Sequence, residues 1–136
     1  MKKVLLLIFA VSLIFAVNLQ SSEAAPKWQQ LAAQIEQTIH EAMEIYKTGD
    51  GRTAKDKIND AYYGIYEKEG MEGALRVSVS AKAVGITEYQ FYKVKKAMLA
   101  GDPIEQVQNE ANTLIDMVYE NVEEMQSAHG DEGGWA

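Results

Sequence analysis

Tyrosines and glutamates are concentrated in residues 62–76, which read YYGIYEKEGMEGALR and contain three of each. On a continuous helix, residues three apart lie on the same face, so the carboxylates of Glu69 and Glu72 can converge. Tyr62 and Tyr66 precede them at helical spacing. Carboxylates brought together in partly apolar surroundings are costly unless a proton, an arginine or a cation neutralises them. This segment is therefore the candidate for binding chemistry.

The oxygen-rich side chains of this segment suit a hard cation. Carboxylate and phenol oxygens favour iron(III), manganese, calcium or magnesium, and a nearby tyrosine oxygen favours iron(III) among them. The predicted metal ligands are Glu69, Glu72, Glu67, Tyr62 and Tyr66. Arg76 follows Glu72 by four residues and is an alternative neutralising partner. The other interpretation is an amphipathic helix–turn–helix whose tyrosines pack at the core edge and whose glutamates face water.

Other catalytic and metal chemistry has little support in this chain. The absence of cysteine excludes thiolate zinc sites, thiol catalysis and iron–sulfur ligation. The two histidines, His40 and His129, belong to no triad or zinc-protease motif. His40 and Glu44 lie one helical turn apart. They are either a pair of metal ligands or part of an exposed polar face. We therefore expect a non-enzymatic protein with no catalytic residues and no cofactor other than iron.

The N-terminus has the pattern of a secretory signal peptide. Residues 1–3 are Met-Lys-Lys, residues 4–17 are apolar apart from Ser12, and small residues stand at Ser22 and Ala24. Cleavage after Ala24 is predicted, because this apolar run is shorter than the ~20 residues that cross a bilayer. An uncleaved anchor is the alternative. Export would place the protein in the periplasm or outside the cell, with no membrane-inserted segment after cleavage.

The formal net charge of −7 limits the classes of partner. Nucleic acids and anionic lipid surfaces select basic proteins, so neither is expected to bind. An acidic surface attracts cations, and it also simply keeps a protein in solution. The expected organisation is a signal peptide at 1–24, one helical-bundle domain at 25–128 and a flexible tail at 129–136.

The domain is predicted to be all-α, a small antiparallel bundle of four or five helices. Apolar residues recur at helical spacing over about 27–47, 53–69 and 71–84, and again from Thr87 to the AGDP turn and from Asp102 onward. The stretch RVSVSAK alternates like a strand, but no partner strand exists, so a helix is predicted there. Gly85 is expected to cap that helix, and Thr87 with Gln90 to form the capping box of the next.

Two longer segments, NDAYYGIYEKEGMEGALR and SAKAVGITEYQFYKVKKAM, resemble a known family over about residues 46–98. They are similar to the extracytoplasmic N-terminal domain of bacterial members of the high-affinity iron permease family. Lys68-Glu69-Gly70-Met71-Glu72 also resembles the Arg-Glu-Gly-x-Glu motif of that family, with lysine in place of arginine. Glu69 and Glu72 are the positions that this likeness carries over.

The resemblance implies iron handling outside the cytoplasmic membrane, with a membrane iron permease as partner. No membrane helices follow in this chain, so we expect the soluble domain alone, exported as a free protein. The alternative from a different class is a metal-free envelope module that binds another protein through its tyrosine-rich face, because tyrosine is enriched in interfaces. A third hypothesis, with less support in the sequence, is an enzyme that works through a bound metal.

Overall fold

The computed structural model describes residues 26–129 and contains five helices packed together. They are α1 (Lys27–Lys47), α2 (Gly51–Asn59, continued by a π-helical segment at Asp60–Glu67), α3 (Met71–Ser78), α4 (Ala81–Ala100) and α5 (Ile104–His129). No strand occurs in this part of the chain, so the all-α prediction is confirmed. The predicted signal peptide and residues 130–136 of the predicted tail lie outside the described residues, while His129, the first residue of the predicted tail, is the last residue of α5.

Apolar stripes on the long helices form the core. α1 contributes Leu31, Ile35, Ile39 and Met43, which recur every four residues and are buried. The stripe of α5 consists of Val107, Ala111, Leu114, Val118, Val122 and Met125. α1 packs against α2 and α5, and α4 packs against α2, α3 and α5. Each fully buried aliphatic side chain contributes about 1.5–3 kcal/mol, so this core dominates the stability of a chain without disulfides.

The helices are amphipathic rather than uniformly apolar. Within residues 26–129, none combines the length and the apolar character that crossing a bilayer requires.

The second helix changes its hydrogen-bond pattern half-way along. Its π-helical segment ends with the Lys68 N–H donating to the Tyr63 carbonyl, five residues back, at 3.3 Å. The predicted helix over 53–69 therefore has roughly the right extent, but its side chains do not keep α-helical spacing. Gly70 then takes the left-handed conformation, with φ of +88°, and separates this element from α3. Short π-helical turns are rare and often accompany functional sites.

The boundary between α3 and α4 differs from the prediction. α3 ends at Ser78, and the Ser80 side chain caps α4 by accepting the Ala83 N–H at 3.0 Å. The backbone of Ser80 is extended, with φ of −173° and ψ of 159°, which breaks the helix at that residue. Gly85 therefore lies inside α4. The predicted helix over 71–84 with a Gly85 cap is wrong.

The predicted capping box is wrong for the same reason. Thr87 and Gln90 are both buried, and they lie well inside α4 because the helix starts at Ala81, six residues before Thr87. Thr87 Oγ1 donates to the Ala83 carbonyl at 2.9 Å. Gln90 Nε2 donates to the Glu110 carbonyl at 2.9 Å and to its carboxylate at 2.7 Å. Gln90 thus joins α4 to α5 and caps no helix.

Replacing Ser80 with alanine is expected to lower the free energy of unfolding by about 1 kcal/mol, because the first turn of α4 loses its cap. Urea denaturation of the two proteins measures the difference. The control is Ser127→Ala, at an exposed position on α5, where the change should stay within roughly 0.5 kcal/mol. Equal effects at the two serines would argue against Ser80 as the cap.

The turns at one end of the bundle bring α1, α2, α4 and α5 together. The Tyr46 hydroxyl on α1 donates a hydrogen bond to the Asp102 carbonyl, in the turn before α5. Gly51, the first residue of α2, lies directly against the end of α4. A Cβ atom at Gly51 would stand 2.3 Å from the Met98 carbonyl oxygen, a distance that side chains do not tolerate. This glycine is therefore required for the close approach of α2 and α4.

Candidate metal centre

Three elements bring tyrosines and glutamates together on one side of the bundle. The π-helical segment supplies Tyr62 and Tyr66, α3 supplies Glu72 and Arg76, and α4 supplies Glu88. The Tyr62 hydroxyl donates to Glu88 Oε1 at 3.0 Å. Arg76 Nη2 donates to Glu72 Oε1 at 2.8 Å, so the pairing suggested by their spacing is present. We call these five residues the tyrosine–glutamate cluster.

Tyr66 is the buried centre of this cluster. Its side chain is 0 % exposed, and its ring packs 5.4 Å from the ring of Phe91 and 5.8 Å from that of Tyr62, centre to centre. The hydroxyl forms no hydrogen bond of acceptable geometry with any described residue. Thr87 is close enough to lower the pKa of Tyr66, but its hydroxyl donates to Ala83 and its oxygen already accepts a hydrogen bond from Asn121 Nδ2 at 2.7 Å. A buried hydroxyl without a partner costs about 1–3 kcal/mol.

The electrostatics of both inner tyrosines favour the neutral form. Burial, and then the charges of Glu72 and Glu88, raise the pKa of Tyr66 well above its usual range. Burial also raises the pKa of Tyr62, followed by its hydrogen bond to Glu88 and the charges of Glu88, Glu72 and Glu67. Two carboxylates therefore act on the same buried hydroxyl. Arg76 is the basic member of the cluster, and its hydrogen bond to Glu72 raises its own pKa.

The structure divides the predicted ligands into two groups. Tyr62, Tyr66 and Glu72 belong to the cluster. Glu67 is exposed and reaches it only through its charge, which acts on Tyr62. Glu69 is exposed in the turn before Gly70, and its carboxylate forms no hydrogen bond or ion pair within residues 26–129. The left-handed turn at Gly70 lies between Glu69 and Glu72, so the two do not share a continuous helix.

Glu88 is the member that the sequence interpretation missed. It lies in the Glu-Tyr-Gln-Phe stretch that contributed to the family resemblance. The predicted capping box placed it in the first turn of a helix, where an acidic residue needs no further explanation. In the structure it lies within α4, and its carboxylate accepts the Tyr62 hydroxyl.

The carboxylates and histidines of residues 26–129 do not by themselves form a metal cage. No group of three or more such side chains converges in this part of the chain. His40 Nε2 lies 3.5 Å from Glu36 Oε1, while Glu44 pairs with Lys47 at 2.7 Å. The His40–Glu44 pair thus resembles an exposed polar face. A cation in the tyrosine–glutamate cluster would need phenol oxygens as well as carboxylates.

A second tyrosine–glutamate hydrogen bond joins α5 to α1. The Tyr119 hydroxyl donates to Glu36 Oε2 at 2.5 Å. This hydrogen bond, together with burial and the charge of Glu36, raises the pKa of Tyr119 to about 12. The folded protein therefore holds the phenol proton more tightly than the unfolded chain, whose tyrosines ionise near pH 10. The stabilisation is complete below about pH 10 and is lost as the pH rises to about 12.

Tyr119→Phe is therefore expected to be less stable than the wild type at about pH 8, with a gap that narrows by about pH 11.5. Urea denaturation at the two pH values measures the gap. Tyr89→Phe, at an exposed position on α4, should show little difference from the wild type at either pH. A Tyr119→Phe gap that is constant over this range would contradict the role assigned to the Glu36 hydrogen bond.

Comparison with known proteins adds no identification. The chain matches no protein-family model, no curated protein and no solved structure. The likeness to the extracytoplasmic domain of iron permeases therefore stays a prediction from the quoted residues.

Proposed function

We propose that this is an exported, non-enzymatic helical protein that binds iron, or a similar cation, at the tyrosine–glutamate cluster and assists a membrane iron permease. The observation that carries the proposal is the buried Tyr66 hydroxyl, which has no hydrogen-bond partner among the described residues and lies under the charges of Glu72 and Glu88. A cation that binds there gives this oxygen a partner and neutralises the two carboxylates.

The donor set favours a hard, highly charged ion. Tyr62, Tyr66, Glu72 and Glu88 offer phenol and carboxylate oxygens, which suit iron(III) better than calcium or magnesium. Binding would release the phenol protons, and the charge of the metal would compensate for the raised pKa values. Glu72 would exchange its arginine partner for the cation. Glu67 and Glu69 are exposed and lie outside this donor set.

The location and the partner are supported by the sequence. The signal-peptide pattern of residues 1–24 favours export, either to the periplasm or to the cell exterior. The resemblance to the soluble domain of iron permeases supports a membrane iron permease as the receiver of the ion. The net charge of −7 favours attraction of cations over nucleic acid.

Iron(III) is expected to raise the melting temperature of the protein, because a ligand of the folded state stabilises it by about 2.7 kcal/mol at a hundred times its Kd. Glu88→Gln and Glu72→Gln should lose most of this stabilisation. Glu69→Gln, which removes a charge outside the cluster, is the matched control and should retain it. The metal function is ruled out if iron(III), iron(II) and manganese all leave the wild-type melting temperature unchanged.

A metal-free interaction module is the second candidate, and the exposed tyrosines favour it. Tyr63, Tyr89 and Tyr92 are each at least half exposed, and the rings of Tyr89 and Tyr92 stack 6.1 Å apart. Tyrosine is enriched where proteins meet. Binding of a purified envelope partner in the presence of chelator would favour this candidate, whereas binding that requires iron would favour the first.

A further inference from the structure

A groove between α2 and α4 is lined by lysines and aromatic residues, although the chain as a whole is acidic. It encloses about 450 Å³, and its main lining residues are Lys55, Tyr63, Tyr92, Lys95, Lys96 and Leu99. The lining residues that belong to α4 recur at helical spacing, three or four residues apart, and so share one face of that helix. The π-helical segment contributes Tyr63 to the groove, while the preceding residue, Tyr62, bonds to Glu88 in the cluster. We call this the lysine–tyrosine groove.

The groove concentrates positive charge on a chain whose net charge is −7. No aspartate or glutamate is among the described residues that line it. Lys55 pairs with Asp56, but Lys95 and Lys96 form no ion pair within residues 26–129. Burial and the charge of Lys55 both lower the pKa of Lys95. Like charges held together without a counter-ion attract an anion.

The walls of the groove are aromatic and apolar. Tyr63, Tyr92 and Leu99 are 57 %, 50 % and 59 % exposed, which is high for side chains of this size. The Lys95 ammonium lies 6.0 Å from the centre of the Tyr63 ring, so charge and aromatic surface adjoin. A ligand with a flat apolar body and an acidic group matches both features.

We propose that the lysine–tyrosine groove binds a small aromatic carboxylate, with its ring against Tyr63 and Tyr92 and its acidic group at Lys95 and Lys96. The volume is within the range of small-molecule sites, roughly 300–1,000 Å³, whereas a folded partner needs a much larger surface. This site adjoins the cation site, because the Lys95 ammonium also lies 5.6 Å from the centre of the Tyr62 ring, but none of its lining residues belongs to the tyrosine–glutamate cluster.

Amide NMR of the full chain tests the proposal, with naphthalene-2,6-dicarboxylate as the probe. The dicarboxylate should shift the resonances of Tyr63, Tyr92 and Lys95 in a saturable way. Two matched controls separate charge from ring: the neutral naphthalene-2,6-dimethanol and the ring-free succinate should each bind at least about tenfold more weakly. Equal binding of the neutral probe would overturn the proposal, because it would show apolar adhesion without recognition of the carboxylate.

Variants locate the binding. Lys95→Met should weaken dicarboxylate binding about tenfold, while Lys82→Met, an exposed lysine at the start of the same helix, should leave it unchanged. Glu88→Gln should also leave it unchanged, so failure here is distinguishable from failure of the cation site. Equal losses in the two lysine variants would overturn the assignment. The proposal would also be overturned if an acidic peptide shifted these resonances while the dicarboxylate did not, because the ligand would then be a polypeptide.

Discussion

Tyr66→Phe is expected to make the metal-free protein more stable, by about 1 kcal/mol, and to abolish its stabilisation by iron(III). The variant removes only a hydroxyl that is buried without a hydrogen bond, so the desolvation cost of that group disappears while the ring packing stays. The same oxygen is the central ligand of the proposed site. Thermal melts of both proteins, in chelator and in iron(III), measure the two effects together.

The opposite signs of these two effects make the prediction specific. Loss of an ordinary buried hydroxyl interaction would lower the stability of the metal-free protein. Tyr89→Phe is the control, because Tyr89 is 62 % exposed on α4 and lies outside the cluster. It should keep both the stability and the iron response of the wild type. A Tyr66→Phe protein that still responds fully to iron(III) would remove Tyr66 from the ligand set.

Gly51→Ala is expected to lower the free energy of unfolding by about 3 kcal/mol. The added Cβ would stand 2.3 Å from the Met98 carbonyl oxygen and 3.3 Å from its carbon, and neither backbone atom can rotate away. Overpacking that forces side chains off their rotamers and shifts the backbone costs about 1–3 kcal/mol and occasionally more, and the contact with a backbone carbonyl places Gly51→Ala at the upper end. Urea denaturation measures the loss.

Gly85→Ala is the matched control for Gly51→Ala. Gly85 lies inside α4 on an exposed face, and a Cβ there would meet no atom within 4 Å. The substitution should stabilise the protein by roughly 0.5–1 kcal/mol, because alanine loses less backbone freedom in a helix than glycine. A destabilised Gly85→Ala protein would contradict the placement of this residue within α4, and a neutral Gly51→Ala protein would contradict the close contact of α2 with α4.

The fold was predictable wherever a helix carries a regular apolar stripe. α1 occupies Lys27–Lys47 as predicted, because Leu31, Ile35 and Ile39 repeat at four-residue spacing and define its buried face. The residue at which α4 begins was not predictable from an apolar stripe. Ser80 and Thr87 are both acceptable caps in the sequence, and only packing against α5 decides that Thr87 and its neighbours lie inside the helix.

The candidate site was predictable in its location but not in its members. The segment from Tyr62 to Glu72 does supply three residues of the cluster. The π-helical hydrogen bonds change which side chains share a face, and the left-handed turn at Gly70 separates Glu69 from Glu72. Glu88 is distant in sequence and joins the cluster only because α4 packs against α3 and its Phe91 ring packs against the rings of Tyr62 and Tyr66. Local spacing therefore could not select Glu88 over Glu69.

Titration of the wild-type protein with iron(III), supplied as its citrate complex and followed by visible absorption, tests the cation site most directly. Tyrosine oxygens bound to iron(III) give a charge-transfer band that carboxylates alone do not give. We expect this band to appear and to saturate at one iron per chain, with Tyr66→Phe showing little of it. Absence of the band in the wild type, at iron concentrations that raise its melting temperature, would contradict binding through Tyr66.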